Sequence, residues 1–90
     1  MVILILKHEI SDFERWKALF DAGADMRKQN GMSVQTVARV SGQPNMIVII
    51  SQVPSVEQAK AFLANPQLRA AMAEAGVKGA PEMTFLEPLA

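Results

Sequence analysis

The chain holds one histidine (His8), one tryptophan (Trp16), no cysteine and no tyrosine. Those counts narrow the chemistry at once. Without cysteine there is no thiol nucleophile, disulfide framework or thiolate metal site. With a single histidine, a metal site would have to be assembled from scattered carboxylates, and none are spaced for one. The glycines of "GVKGAPE" (76–82) match no phosphate-cradling spacing. What remains is a lone imidazole near aromatic residues. Such an imidazole, kept neutral, can take a proton from an acidic carbon or a phenol, or orient a carbonyl. Trp16 and Phe20, one helical turn apart, would wall an apolar slot. Gln52 would fix the tautomer of His8 or bind a substrate oxygen, and Thr36 would add a hydroxyl. No metal or cofactor is expected.

Each of these residues also has a plain structural reading. A lone histidine at a strand end commonly bonds a backbone group, and aromatic residues at helical spacing commonly fill a core. Arg27, close to the end of the first helix, complements the helix dipole. Lys7 and Arg39 read as surface or interface charges.

The elements that must position these side chains follow from composition and pattern. Ninety residues, half of them hydrophobic, suffice for one domain, 1–90, with a packed core. A monomer of this size buries only about 60–65% of its unfolded surface, so further burial would help it. Nine basic and nine acidic residues cancel, and no basic cluster exceeds the pair Arg27-Lys28, so neither nucleic acid nor an acidic membrane is an expected partner. The longest apolar runs, "VILIL" and "MIVII", fall far short of the roughly 20 residues that span a bilayer. The N-terminus has no basic n-region or cleavage site of a signal peptide. A cytoplasmic location is the expectation.

"VILILKHE" (2–9) and "MIVIISQV" (46–53) are rich in β-branched residues and open on the uniformly apolar runs "VILIL" and "MIVII", the pattern of strands buried on both faces. After the first comes "SDFE", a capping box with Ser11 as N-cap and Glu14 three residues on, which predicts a helix over 12–29 stopped by Gly31. After the second comes "SVEQ", with Ser55 and Gln58 in the same roles, predicting a helix to Ala64. Asn65-Pro66 restarts it, and Gly76 ends it. "SVQTVARV" (33–40) and "PEMTFLE" (81–87) supply two more strands, and "SGQPN" (41–45) forces a hairpin. "GVKGAPE" reads either as a mobile lid or as a connector.

The order β-α-β-β-α-β, with its two matched βα units, predicts a ferredoxin-like α+β sandwich: a four-stranded antiparallel sheet with helices on one face. The first and third strands are expected at the centre, read as a parallel pair that makes His8 and Gln52 neighbours about 4.8 Å apart. The helix-covered face is then expected to hold Leu4, Leu6, His8, Val48, Ile50 and Gln52. The other face would hold Ile3, Ile5, Lys7, Ile47, Ile49 and Ser51, too apolar to leave wet, so that a second copy must cover it.

"MVILILKHEISDFERWKALF", "GQPNMIVIISQ", "NPQLRAAMAEAG" and "PEMTFLE" together resemble the dimeric α/β-barrel superfamily, over nearly the whole chain. That superfamily includes antibiotic-biosynthesis monooxygenases that need no metal or flavin, polyketide cyclases, lactone isomerases and haem-degrading oxygenases. The resemblance implies a homodimer closed sheet against sheet, with a small-molecule pocket between sheet and helices. It assigns no catalytic residue by position. The function expected is binding of a small, apolar, aromatic or polyketide-like molecule, with cofactor-independent oxygenation, cyclisation or isomerisation and His8 as base or orienter. The rival is a non-catalytic ligand-binding or stress-response module of the same fold with a filled interior.

Overall fold

The two runs too apolar for any surface become the two central strands. In the computed structural model, which describes residues 1–90, the order is β1 (Val2–Ile10), α1 (Phe13–Ala22), α2 (Ala24–Gln29), β2 (Ser33–Arg39), β3 (Met46–Val53), α3 (Val56–Leu63), α4 (Pro66–Glu74) and β4 (Val77–Leu86). The sheet runs β2-β3-β1-β4, with every neighbouring pair antiparallel. Helices pack on one face only, giving the expected ferredoxin-like α+β sandwich.

The central pair corrects one expectation. β1 and β3 run antiparallel, with Val2 opposite Val53 and His8 opposite Ile47. The connections dictate this. A helical crossover leaves β2 parallel to β1, a short hairpin turns β3 against β2, and β3 slots between them, so it opposes both. Partners on β1 and β3 therefore differ in parity, and the even residues of β1 share a face with the odd residues of β3.

Under the helices lie Leu4, Leu6, His8 and Ile10 with Ile47, Ile49, Ser51 and Val53, all buried. The expectation for β1 holds, whereas that for β3 is reversed: Val48, Ile50 and Gln52 face the open side, and Ile47, Ile49 and Ser51 face the core. Burying each of the large aliphatic side chains contributes about 1.5–3 kcal/mol. Two groups form: Leu6, Ile10, Ile47 and Ile49 under Trp16 and Ala75, and Leu4 with Val53 under Ala59.

Local chemistry sets the element ends. Ser55 caps α3, accepting from the Gln58 N–H at 3.1 Å, and Asn65 caps α4, accepting from Gln67 at 2.8 Å, with Pro66 in the first turn. The first helix starts one residue later than its capping box suggests. Asp12, still extended at φ −147°, accepts from the Glu14 N–H at 3.2 Å, while the Ser11 N–H donates to the Gly76 carbonyl at 3.0 Å. The predicted single helix breaks at Gly23, a poor helix former, into α1 and α2.

Two bulges adjust the sheet. Pairing of β2 with β3 shifts by one residue between Val34 and Thr36: Thr36 to Arg39 oppose Ile50 to Ile47 in steady register, whereas Val34 opposes Ser51. On the other side, Lys7 pairs Glu82 but Glu9 pairs Lys78, so β4 carries extra residues at 79–81 opposite His8. Gly79 there has φ +69° and Pro81 has no N–H to give the ladder, both tolerated on an edge strand. "GVKGAPE" is thus mostly bulged strand rather than a lid, and β4 begins before the predicted start at 81.

Candidate functional site

α1 follows β1 after only Ser11 and Asp12, so its first turns fold straight back over the end of the strand. Ser11 is pinned to Gly76, whose φ of +87° excludes other residues without strain and whose missing Cβ leaves room for the Ser11 hydroxyl. This brings Trp16 edge-on to His8, with ring centroids 5.7 Å apart and planes at 76°. Phe20, one turn further, stacks on Trp16 at 4.9 Å. The guanidinium of Arg27 in α2 lies 3.7 Å above the Phe20 ring. Four side chains thus run in series from the sheet to the end of α2.

They line one wall of a cavity of about 130 Å³ between sheet and helices. Fifteen of its nineteen lining residues are hydrophobic, the exceptions being His8, Gly23, Arg27 and Ser51. His8 and Trp16 are buried, at 5% and 3% exposure. Arg27 is half-buried, beside Met26, which is 37% exposed where the cavity nears the surface.

His8 is the unusual member. Both ring nitrogens are buried and neither has a hydrogen-bond partner within the chain. Buried polar atoms are nearly always paired, and leaving one unpaired costs about 1–3 kcal/mol. Burial pushes the His8 pKa below its ordinary 6.5, so the imidazole is neutral at pH 7. Desolvation is the cause. A neutral ring offers one donor and one acceptor to whatever enters.

The structure brings His8, Trp16 and Phe20 together on the cavity wall and separates Gln52 and Thr36 from them. Gln52 lies across from Ile3 and Ser33, and Thr36 across from Ile50, both on the open face of the sheet. Ile3 is five residues from His8 on β1, roughly 17 Å at strand spacing. Antiparallel pairing is the reason. Two polar cavity residues, Ser51 and Arg27, were not expected there from the sequence. Ser51 faces the cavity by the parity of β3, and Arg27 shares the inward helical face with Phe20 and Gly23 at i, i+3 and i+7, a spacing that does mark it. No group of three or more His, Asp or Glu side chains is arranged to hold a metal ion, and no helix is long and apolar enough to cross a membrane.

No family model and no curated protein matches the sequence. Solved structures do match the fold. A candidate antibiotic biosynthesis monooxygenase from Caulobacter crescentus superposes with a TM-score of 0.75 at 17% identity, covering 99% of this chain and 90% of its own. SnoaB, a cofactor-independent oxygenase from Streptomyces nogalater, gives 0.72 at 15% identity, covering 97% and 91%. A candidate antibiotic biosynthesis monooxygenase from Chloroflexus aurantiacus gives 0.66 at 26% identity, covering 99% and 93%. The shared feature is the ferredoxin-like fold of antibiotic biosynthesis monooxygenase-like proteins.

Proposed function

We propose that this chain is a cytoplasmic, small-molecule-binding homodimer that oxygenates an activated carbon of an apolar aromatic or polyketide-like substrate without a bound cofactor. The observation that carries the reading is His8: a neutral, buried imidazole with both nitrogens free, set in the wall of an apolar cavity. Fold likeness to SnoaB adds support by analogy. A cavity beside His8 and Trp16 favours this over a non-catalytic module with a filled interior.

The chemistry balances without an external reductant. His8 removes a proton from an activated CH₂, and the carbanion passes electrons to O₂ and combines with it as a hydroperoxide. Loss of water then leaves a carbonyl: R₂CH₂ + O₂ gives R₂C=O + H₂O. A base whose pKa lies below 6.5 is weak, so it suits only carbons acidified by flanking carbonyls or phenol rings. Phe20 and Trp16 would hold such a planar substrate against the imidazole.

The open sheet face bears on assembly. Ile3, Ile5, Val48 and Ile50 are only half-covered within one chain, and Leu86 is 41% exposed beside them. Such a continuous apolar strip fits a sheet-to-sheet partner, a second copy. Ile5→Lys is expected to halve the mass seen by sedimentation while preserving the circular dichroism spectrum; an unchanged mass would remove this face from the interface.

Trp16 is the reporter for the site. Titration with planar phenols and quinones is expected to quench its fluorescence saturably at micromolar ligand, at least tenfold more weakly in His8→Ala, with oxygen consumed by wild type only. No quenching by any of them, with His8→Ala merely altered in stability, would leave His8 a structural residue.

A further inference from the structure

Arg27 is the only formally charged residue lining the cavity, and no carboxylate pairs with it directly, although Asp21 is near enough to favour its charge. Its guanidinium makes no ion pair and donates no hydrogen bond inside the chain. The nearby carboxylate of Asp21 is already held by Lys17, one helical turn away. The guanidinium's position over the Phe20 ring satisfies none of its five N–H donors. The chain makes room for this pose. A Cβ on Gly23 would stand 3.2 Å from Nη1 of Arg27, tighter than ordinary packing, and the helix is interrupted at that residue.

We infer that Arg27 is the anion-selecting residue of the cavity, and that the ligand is a small aromatic acid or enolate with one ring inside and one oxyanion on the guanidinium. This rests on reading the cavity as a ligand site. Size supports a single ring: about 130 Å³ compares with the roughly 150 Å³ apolar cavity that accepts benzene. Charge supports the oxyanion, because a guanidinium fork matches two carboxylate or enolate oxygens bidentately and gains strength where it is half-shielded from water. Burial lowers the Arg27 pKa, partly offset by Asp21, yet an arginine stays charged at neutral pH. Desolvation without a partner is a cost that an entering anion removes.

Benzoate and benzamide have nearly one shape and differ in charge, so their ratio of affinities isolates the effect. At pH 8 the imidazole of His8 is neutral and any preference reports Arg27. By Trp16 fluorescence, wild type is expected to bind benzoate at least tenfold more tightly than benzamide. Arg27→Met, which keeps an apolar stem over Phe20, is expected to bring the ratio near one, with benzoate losing far more affinity than benzamide. Gly23→Ala, which keeps the charge but crowds its seat, is expected to lower the ratio part of the way. Equal affinities in wild type, or a benzoate preference that survives Arg27→Met, would overturn the assignment. Benzamide binding without benzoate preference would overturn it while the cavity reading stands. Failure of both probes to bind would bring down the cavity reading and the assignment together.

Discussion

On β1, Leu4, Leu6, His8 and Ile10 lie under the helices, while Ile3, Ile5, Lys7 and Glu9 alternate onto the open side. One strand therefore serves two environments. The helix side is closed, apolar and holds a histidine with no partner. The open side is half-exposed and carries its charges where water or a neighbouring strand can meet them, as Lys78 meets Glu9 at 3.8 Å. The contrast shows where chemistry can live. Within one chain a polar group on the open side keeps water within reach, whereas His8 on the helix side loses its hydration and its pKa is lowered.

The largest effect expected from testing this contrast is on the closed side. Leu4, 1% exposed, bridges Val53 and Ala59, so Leu4→Ala is expected to cost about 3 kcal/mol by urea denaturation. A loss under about 1 kcal/mol would mean the closed side is not the packed one. A smaller effect is expected at the hinge between strand and helix. Gly76→Ala forces φ +87° on an L-residue and drives a methyl into the Ser11 hydroxyl, costing about 1–3 kcal/mol; a stable Gly76→Ala would show that Ser11 is free to move.

The smallest effect is a slope. Burial holds the folded pKa of His8 below 6.5, so as pH falls through 6.5 the unfolded chain takes up the proton first and stability drops until the folded pKa is passed. Above 6.5 both states are neutral and the term vanishes. Relative to His8→Gln, wild type should lose stability on acidification at no more than about 1.4 kcal/mol per pH unit. Parallel stability curves for the two proteins would show that burial does not act on this proton.

Much of this contrast can be read in the sequence and part cannot. The strands "VILIL" and "MIVII" identify themselves by hydrophobicity, Ser55 and Asn65 by capping chemistry, and the pair Trp16 and Phe20 by helical spacing. These signals are local. The faces of β3 are not local, since they depend on whether it runs with or against β1, and a fully apolar strand has no alternation to reveal the answer. That is why Gln52 reads as a neighbour of His8 when it lies at the far end of the strand, on the other face. The bulges at Gln35 and at 79–81 are similarly hidden, because they express strand pairing rather than the preference of any one residue. Arg27 hides for another reason: the terminal dipole explains it so readily that its i+7 relation to Phe20 passes unnoticed.

The single imidazole makes one experiment decisive. An NMR titration of the His8 ring, free and with a planar phenol bound, reads its protonation and its hydrogen bonds together. The expected result is a pKa below 6.5 in the free protein and nitrogen shifts that change on binding, as the unpartnered ring gains a partner. A pKa at or above 6.5 with shifts blind to every ligand would contradict it, and would return His8 to the structural histidines.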